Sequence, residues 1–367
     1  MPSENITIFQ WNCRAISKRI DYFTQYLSKE DHHILLLQSL FCSRSKLPKL
    51  PGYYYPPLID HLTSTKHVNV AIYIRDDLEY QCCKSPVPLD SDNVFSAAIT
   101  LKINDKESIN LASVYYPRGP SNTNCSWLKE MNVEKELWVI GGDFNCHSKL
   151  WDKGTNKSNS NKVFCDNVID SNLILLNNGN VTRIPDALNQ SPSALDLTFV
   201  SPELAIDQTW EIIEDTMGSD HLPIVTTLQQ KINIYLEEDT IPKYKYDKAD
   251  WNTFRNVLDN TTNPFNGVCS NDIDQIYLKF VKSIHDAAKL SIPIKRNLNQ
   301  TKKTGNIWWT DKCEEAVKEK NKALRIYLKN KKNKTENDFV KNEKRRLNIL
   351  FFFFFSFFMD SDASFPV

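Results

Sequence analysis

No stretch of the 367-residue chain approaches the roughly 20 consecutive apolar residues that a membrane-spanning helix requires, residues 349–359 being the longest apolar run. A transmembrane protein is therefore not expected. Residues 1–10 lack both the basic and the apolar segment of a secretory leader, so the expectation is an intracellular protein that is not secreted. Paired zinc-finger cysteines are missing too. The nine cysteines (13, 42, 82, 83, 125, 146, 165, 269 and 313) are odd in number, and none forms a CxxC pair with a second pair at finger spacing. They read as reduced thiols, mostly buried. Neither sign of charge is in excess over the whole chain, with 45 Lys+Arg against 45 Asp+Glu. That balance hides an asymmetry: residues 1–228 carry 20 Lys+Arg and 27 Asp+Glu, a net of −7, and the remainder carries +7. An acidic half repels nucleic acid unless cations occupy some of its carboxylates or a basic appendage holds the polyanion.

Short β-branched or apolar runs recur at 6–9, 34–37, 70–74, 95–103, 109–115, 138–140, 173–176 and 196–200, several of them apolar at every position. They read as strands buried in a sheet interior. Segments 17–27 and 161–171 place apolar residues at helical spacing between them. Together they predict a mixed α/β domain over 1–228. A polar linker is expected at 229–250, and amphipathic helical texture begins with Trp251, Phe254, Val257 and Leu258. Residues 295–346 hold 17 Lys+Arg against 7 Asp+Glu, and there Cys313, Val317, Leu324 and Leu328 share one helix face, leaving lysines on the other. The whole of 251–348 is expected to be a helical basic region, acting either as a solvated charged face or as a nucleic-acid contact. The phenylalanine-rich tail, 349–367, has no periodicity and is read as low complexity.

The chemistry concentrates in four segments: Gln10-Trp11-Asn12-Cys13-Arg14, Tyr115-Tyr116-Pro117-Arg118-Gly119, Gly141-Gly142-Asp143-Phe144-Asn145-Cys146-His147, and Gly218-Ser219-Asp220-His221-Leu222-Pro223. The first three follow predicted strands, so their side chains can converge on one rim of a sheet. Asp143 and Asn145 stand two apart after a strand, and period-two alternation would aim both at the same side. With Asn12, Tyr115, Asp196 and Asp220-His221 they supply carboxylates, amides, a phenol and an imidazole. Phosphodiester hydrolysis needs such a set, with a divalent ion polarising phosphate oxygens and a positioned water attacking in line.

The ordered string Gln-Trp-Asn-Cys-Arg, Leu-Leu-Gln, Tyr-Tyr-Pro, Gly-Gly-Asp-Phe-Asn, Ser-Ala-Leu-Asp-Leu-Thr and Ser-Asp-His-Leu-Pro resembles the endonuclease/exonuclease/phosphatase superfamily. Within it, residues 5–228 look most like the apurinic-type endonuclease domain of jockey-like non-LTR retrotransposons. The resemblance implies a four-layered α/β sandwich, two β-sheets face to face with helices outside. It implies a DNA endonuclease nicking one strand with magnesium, for which manganese is a substitute. Carried over, Asp143 would activate the attacking water and Asn145 would hold it. His221, paired with Asp196, would contact the scissile phosphate, and Tyr115 would face the phosphate or the leaving group. Asn12 and Asp220 would serve the metal. Thr182, Arg118, His147 and Trp151 would lie along the DNA. The segment from Trp308-Trp309 onward resembles the connector to a reverse transcriptase, the partner domain in a complete element. Basic clusters at 329–332 and 344–346 suggest nuclear import.

One departure stands out. Where the family carries an acidic metal ligand after Leu-Gln, this chain has Ser39, and a hydroxyl removes a full charge from the ligand set of a hard cation. Impaired nicking is the expectation. The alternatives are an inactive remnant that only binds nucleic acid, or a phosphoesterase of the same fold acting on another substrate.

Overall fold

A strand covered on both faces must be apolar in both registers of its pleat, and β1 (Ser3–Asn12) has that pattern: Ile6 and Ile8 face one way, Phe9 and Trp11 the other. The computed structural model describes residues 3–55, 67–87, 94–121 except 105, 125–152 except 132 and 134, 161–186, 190–233, 248–260, 273–292, 306 and 309–332. After β1 come α1 (Ile20–Leu27), β2 (Ile34–Cys42), β3 (Tyr53–Tyr54), β4 (Val68–Arg75), β5 (Tyr80–Cys82), β6 (Phe95–Lys102) and β7 (Ser108–Tyr115). They are followed by α2 (Trp127–Glu130), β8 (Trp138–Asp143), α3 (Lys162–Asp170), β9 (Ile174–Leu175), β10 (Asp196–Val200), β11 (Thr209–Ile212) and β12 (Ile224–Asn233). The last elements are α4 (Trp251–Asn260), α5 (Ile273–Ser291) and α6 (Asp311–Lys332). No described helix is long and apolar enough to cross a membrane.

The strands form two six-stranded sheets, ordered β11-β12-β1-β2-β4-β3 and β5-β6-β7-β8-β10-β9. Each has one parallel pair near its middle, β1/β2 and β7/β8, among antiparallel neighbours. Ile6, Ile8, Ile34, Leu36 and Ile72 of the first sheet pack against Ile99, Leu101, Ile109, Leu111 and Val139 of the second, forming the inner core. On the outer face of the first sheet, Phe9, Trp11, Leu35 and Leu37 pack against Phe23 and Leu27 of α1. On the outer face of the second, Val114, Ile140 and Phe199 meet Trp127 of α2 and Phe164 and Val168 of α3. The result is a four-layered α/β sandwich. Asn161 starts α3 by accepting a hydrogen bond from the Phe164 N–H at 2.9 Å.

The eight expected strands are all present. Four more were not expected: β3 and β5 are two and three residues long, β11 lies at a sheet edge, and β12 is largely polar beyond Leu228. β12 also moves the expected boundary. Its pairing with β1 continues past Leu228 to Asn233, and Ile232 is buried. The chain divides into a unit comprising residues 1–235 and 302–367 and another comprising 236–301. In the smaller unit, Asp250 caps α4 by accepting from the Asn252 and Thr253 N–H groups, each at 3.0 Å. In the larger one, α6 packs on the sandwich. Val317 joins the cluster around α1, while Ala323, Leu324 and Tyr327 cover Ile184 and Leu222. Lys320, 2% exposed, places Nζ 2.5 Å from Asp215 Oδ1, and Tyr22 and Asn321 also donate to that carboxylate. Eight of the nine cysteines are described, none of them in a disulfide with another described cysteine, and six of them are buried. Cys269, Trp308, the cluster 344–346 and the tail 349–367 lie outside the described residues.

Two substitutions probe this architecture. A Cβ on Gly142 would sit 1.9 Å from the Val114 carbonyl oxygen across the parallel β7/β8 pair. Gly142→Ala is expected to destabilise by about 3 kcal/mol, read from urea unfolding. Lys320→Met leaves the Asp215 carboxylate without its cation and should cost about 3 kcal/mol or more by the same measurement.

Candidate active site

Parallel β1/β2 and β7/β8 send their C-terminal ends to the same rim, and antiparallel β10 and β12 begin there. Asn12 closes β1, Tyr115 closes β7, Asp143 closes β8, Asp196 opens β10, and His221 stands just before β12. Register brings Tyr115 and Asp196 opposite Asp143 from its two sides. A layer of buried polar side chains lies beneath them. Gln10 Nε2 donates to the carbonyls of Gly142 (3.3 Å) and Leu197 (3.2 Å), Gln10 Oε1 accepts from Thr198 Oγ1 (2.9 Å), and Gln38 Nε2 donates to Ser113 Oγ (2.9 Å). These bonds tie one sheet to the other directly below the site.

Asp143 is 1% exposed. Its Oδ2 accepts from Asn12 Nδ2 at 2.7 Å and from Asn145 Nδ2 at 3.1 Å, and its Oδ1 accepts from the Asn145 backbone N–H at 2.9 Å. Asn145 is thus brought to Asp143, but not by continued strand alternation: β8 ends at Asp143 and Asn145 has φ +44°. A tight turn folded back on the carboxylate does the work, a conformation that asparagine tolerates better than most residues. Burial, reinforced by Asp196, outweighs His221 and these hydrogen bonds and pushes the Asp143 carboxyl up to about 7.

His221 Nδ1 lies 2.8 Å from Asp196 Oδ2 and 3.0 Å from Oδ1, and Thr182 Oγ1 donates to Asp196 Oδ2 at 2.6 Å. His221 Nε2 is 4.0 Å from both Asp143 Oδ2 and Asp220 Oδ1. Burial opposes charge on the ring, yet Asp196, Asp143 and Asp220 together raise it to about 9, so it is an imidazolium at neutral pH. Backbone bonds hold the loop in place. Leu222 N–H donates to Thr182 O and Ile184 N–H to Asp220 O, each at 2.7 Å, and Trp11 Nε1 donates to His221 O at 3.2 Å.

Asp143, Asp196 and His221 each offer one donor atom, all within 4.8 Å of one another, a grouping that could hold a metal ion. A hard, oxygen-seeking dication such as magnesium does not fit it well, because one member is a charged imidazole already paired with Asp196. The other expected metal corner fits no better. Ser39, at φ +58° in an irregularity of β2, donates Oγ to Tyr115 Oη at 3.5 Å. Asn12 Oδ1 accepts from the Arg14 N–H at 3.1 Å. Asp220 Oδ2 accepts from Arg183 Nε at 2.9 Å, and its Oδ1 lies 3.4 Å from Arg14 Nη1. Burial works against charge on Asp220, but His221, Arg183 and Arg14 hold its carboxyl below the ordinary carboxylate range.

The residues expected along the DNA separate. Arg118 is exposed and His147 half-buried, with its Nδ1 3.7 Å from Asp152 Oδ2. Thr182 and Trp151, also expected along the DNA, are fully buried. Thr182 orients Asp196, and Trp151 packs against Phe164 with Nε1 donating to Cys146 O at 2.9 Å. Sequence reading gave no role to Arg14, although it ends one of the four segments singled out, nor to Arg183, which adjoins Thr182. Tyr115 faces Ser39, and burial raises its phenol, keeping it protonated.

The raised His221 value carries a stability signature. Folding favours the protonated ring, so its contribution is complete below the ordinary value of 6.5 and is lost as pH climbs toward about 9. Buried Asp143 acts in the same direction, losing stability as pH rises from 3.8 to about 7. Stability should therefore decline from mildly acidic to alkaline pH. In Asp196→Asn the His221 ring should titrate lower, as read by NMR, and an unmoved midpoint would contradict the pairing.

A family described as endonuclease-reverse transcriptase matches residues 109–225, the stretch from β7 to the start of β12. No curated protein matches the chain. Among solved structures, the endonuclease domain of TRAS1, a telomere-specific non-LTR retrotransposon, is similar at 19% identity and TM-score 0.49, over 63% of this chain and 100% of that one. The AP endonuclease LMAP from Leishmania major gives 15% and 0.49 over 61% and 87%. The Xenopus laevis APE2 catalytic domain gives 15% and 0.48 over 64% and 94%. The match over residues 109–225 takes in Tyr115, Asp143, Asn145, Asp196, Asp220 and His221.

Proposed function

We propose that the chain is a DNA-directed phosphodiester hydrolase of the retrotransposon endonuclease kind, nicking one strand, with turnover depressed at the corner that holds Ser39. The observation that supports it best is the continuous hydrogen-bonded set on one rim, Asn12–Asp143–Asn145 beside Thr182–Asp196–His221. Asp143 exchanges a proton near neutral pH and can accept one from the attacking water, which the Asn145 amide would hold. As that oxygen attacks phosphorus in line, the His221 imidazolium, fixed by Asp196, would stabilise the charge growing on a non-bridging oxygen. Tyr115 keeps its proton and can donate to the phosphate or to the departing oxygen. Magnesium, with manganese as its substitute, is the cofactor the family resemblance implies, yet the donor groups suit it poorly, and each step above uses only side chains of the chain.

Basic α6 supports a polyanionic substrate, since Lys318, Lys322, Arg325 and Lys329 recur at i, i+4, i+7 and i+11 and are exposed. A reverse transcriptase is the partner this lineage implies, and the nucleus the compartment where DNA would be met. A second reading, nucleic-acid binding without cleavage, is favoured by one observation: Asp220 is bound by two guanidiniums.

Relaxation of supercoiled plasmid in magnesium tests the reading. Slow nicking by the wild-type chain that vanishes in Asp143→Ala and rises on Ser39→Glu, by roughly tenfold or more, is the expected outcome. Nicking that persists in Asp143→Ala, or its absence from every form, would remove the hydrolase reading.

A further inference from the structure

At the corner formed by Asn12, Ser39 and Asp220, each side chain is already hydrogen-bonded or ion-paired within the chain. The Ser39 hydroxyl is turned to Tyr115, the Asn12 side-chain carbonyl accepts from the Arg14 backbone, and the two Asp220 oxygens face Arg183 and Arg14 respectively. Arg14 does not arrive there by chance of rotamer. Arg14 and Ala15 have φ +46° and +72°, a conformation that costs non-glycine residues about 1–2 kcal/mol each, and it is held by Cys13 N–H to Gln38 O (3.0 Å) and Ala15 N–H to Ser39 O (2.8 Å). Arg19 adds hydrogen bonds to the Arg14 and Ala15 carbonyls. Arg183 is fixed as firmly, its backbone bridged to Ser193 and to His221. One buried carboxylate, 5% exposed, therefore carries two guanidiniums whose side chains are 50% and 29% exposed. Asp186, 65% exposed, takes Arg14 Nη1 from the outer side at 2.6 Å.

A guanidinium has more donors than one carboxylate uses, and its planar fork matches two oxygens of a phosphate group. Arg183 meets Asp220 through Nε and Arg14 through Nη1, which leaves further nitrogens of both for an incoming anion. A dication entering the same corner would meet two positive charges about 3 Å from the Asp220 carboxylate, without a second carboxylate at position 39 to offset them.

We propose that Arg14 and Arg183, gathered on Asp220, supply at this corner the positive charge that a metal ion would otherwise bring, so that the site takes the phosphate group of a nucleic acid without a divalent cation. The proposal rests on the nucleic-acid reading above for its ligand, but not for its charge argument. Ser39 and the arginines then form one device: the loss of a carboxylate at position 39 and the neutralisation of Asp220 both favour an anion over a dication.

The test uses the full chain in matched ionic strength, with three probes: magnesium alone, inorganic phosphate alone, and a fluorescein-labelled DNA duplex. Affinity for the duplex should be equal within about twofold in magnesium and in chelator, and Arg183→Gln or Arg14→Gln should lower it roughly tenfold in chelator, the scale of one charged hydrogen bond. Magnesium alone should leave the wild-type melting temperature unchanged, whereas phosphate alone should raise it. The double variant Ser39→Glu/Arg183→Gln, checked for native circular dichroism, should acquire a magnesium-dependent rise. Duplex binding that collapses in chelator overturns the proposal, as does a wild-type magnesium response that Asp220→Asn removes. If no duplex binds under any condition the nucleic-acid reading fails, and the phosphate and magnesium arms still decide the charge argument: stabilisation by phosphate alone sustains it, and stabilisation by magnesium alone ends it.

Discussion

The separation of two facing sheets, which no backbone hydrogen bond spans, is the constraint on which the rest of the molecule depends. Five strands meet it with the same inward sequence of environments. Ile6 and Ile8 give way to Gln10 and then Asn12; Ile34 and Leu36 to Gln38; Ile109 and Leu111 to Ser113 and Tyr115; Val139 to Gly141 and Asp143; and β10 runs the series backward from Val200 through Thr198 to Asp196. Every second residue thus moves one layer up, from apolar core to polar belt to functional rim. Gln10 spans the gap, and it can do so only because the facing position is a glycine: a Cβ on Gly141 would lie 2.3 Å from Gln10 Oε1. The Gln10 amide is satisfied by carbonyls and a hydroxyl of the opposite sheet, and Gln38 Nε2 donates to Ser113 Oγ across the same gap.

Above that belt, carboxylates from both sheets meet. Asp143, Asp196 and Asp220 would repel one another across a low-dielectric space. Cationic side chains of the chain itself offset them: His221 between Asp196 and the other two, Arg183 and Arg14 on Asp220. Each cation comes from a loop stitched to a neighbouring loop by backbone hydrogen bonds, so charge balance and loop geometry reinforce each other. Helix α6 adds support from outside by covering Leu222 and Ile184, the residues next to His221 and Arg183.

Much of this was legible in the sequence, for reasons that differ by element. Strands such as 34–37 and 70–74 announce themselves by being apolar in both registers, which two-sided burial requires. β5 and β11 lie at sheet edges, and β12 turns polar after Leu228, so hydrophobic pattern alone does not mark them. Asn12, Asp143, Asp196 and His221 could be found because strand ends collect on a rim. Their meeting with Arg14 and Arg183 could not, since it depends on where two loops cross in space. The bonds of Thr182 to Asp196 and of Trp151 to the Cys146 carbonyl likewise depend on the fold and leave no mark in the pattern. α6 was read correctly as an amphipathic basic helix. Nothing in its pattern tells that Lys320, in line with Val317 and Leu324, is buried against Asp215 rather than solvated.

The site's two halves rest on different supports, and this explains how one can change while the other persists. Asp143, Asp196 and His221 stand on β8, β10 and the loop before β12, anchored through Thr182 and the belt below. Ser39 and Arg14 stand on the irregular end of β2 and the left-handed turn after β1, joined to each other by backbone bonds. The small neutral side chain at position 39 stands where the pleat is already interrupted, between Gln38 and Cys42. Had that position lain within the regular pleat, its side chain would have been packed in the outer core with Leu35 and Leu37, and an exchange there would have been felt throughout the fold. Interrupted pairing at the rim therefore confines the cost of altered chemistry there to a few residues, and the sandwich is free to keep its shape.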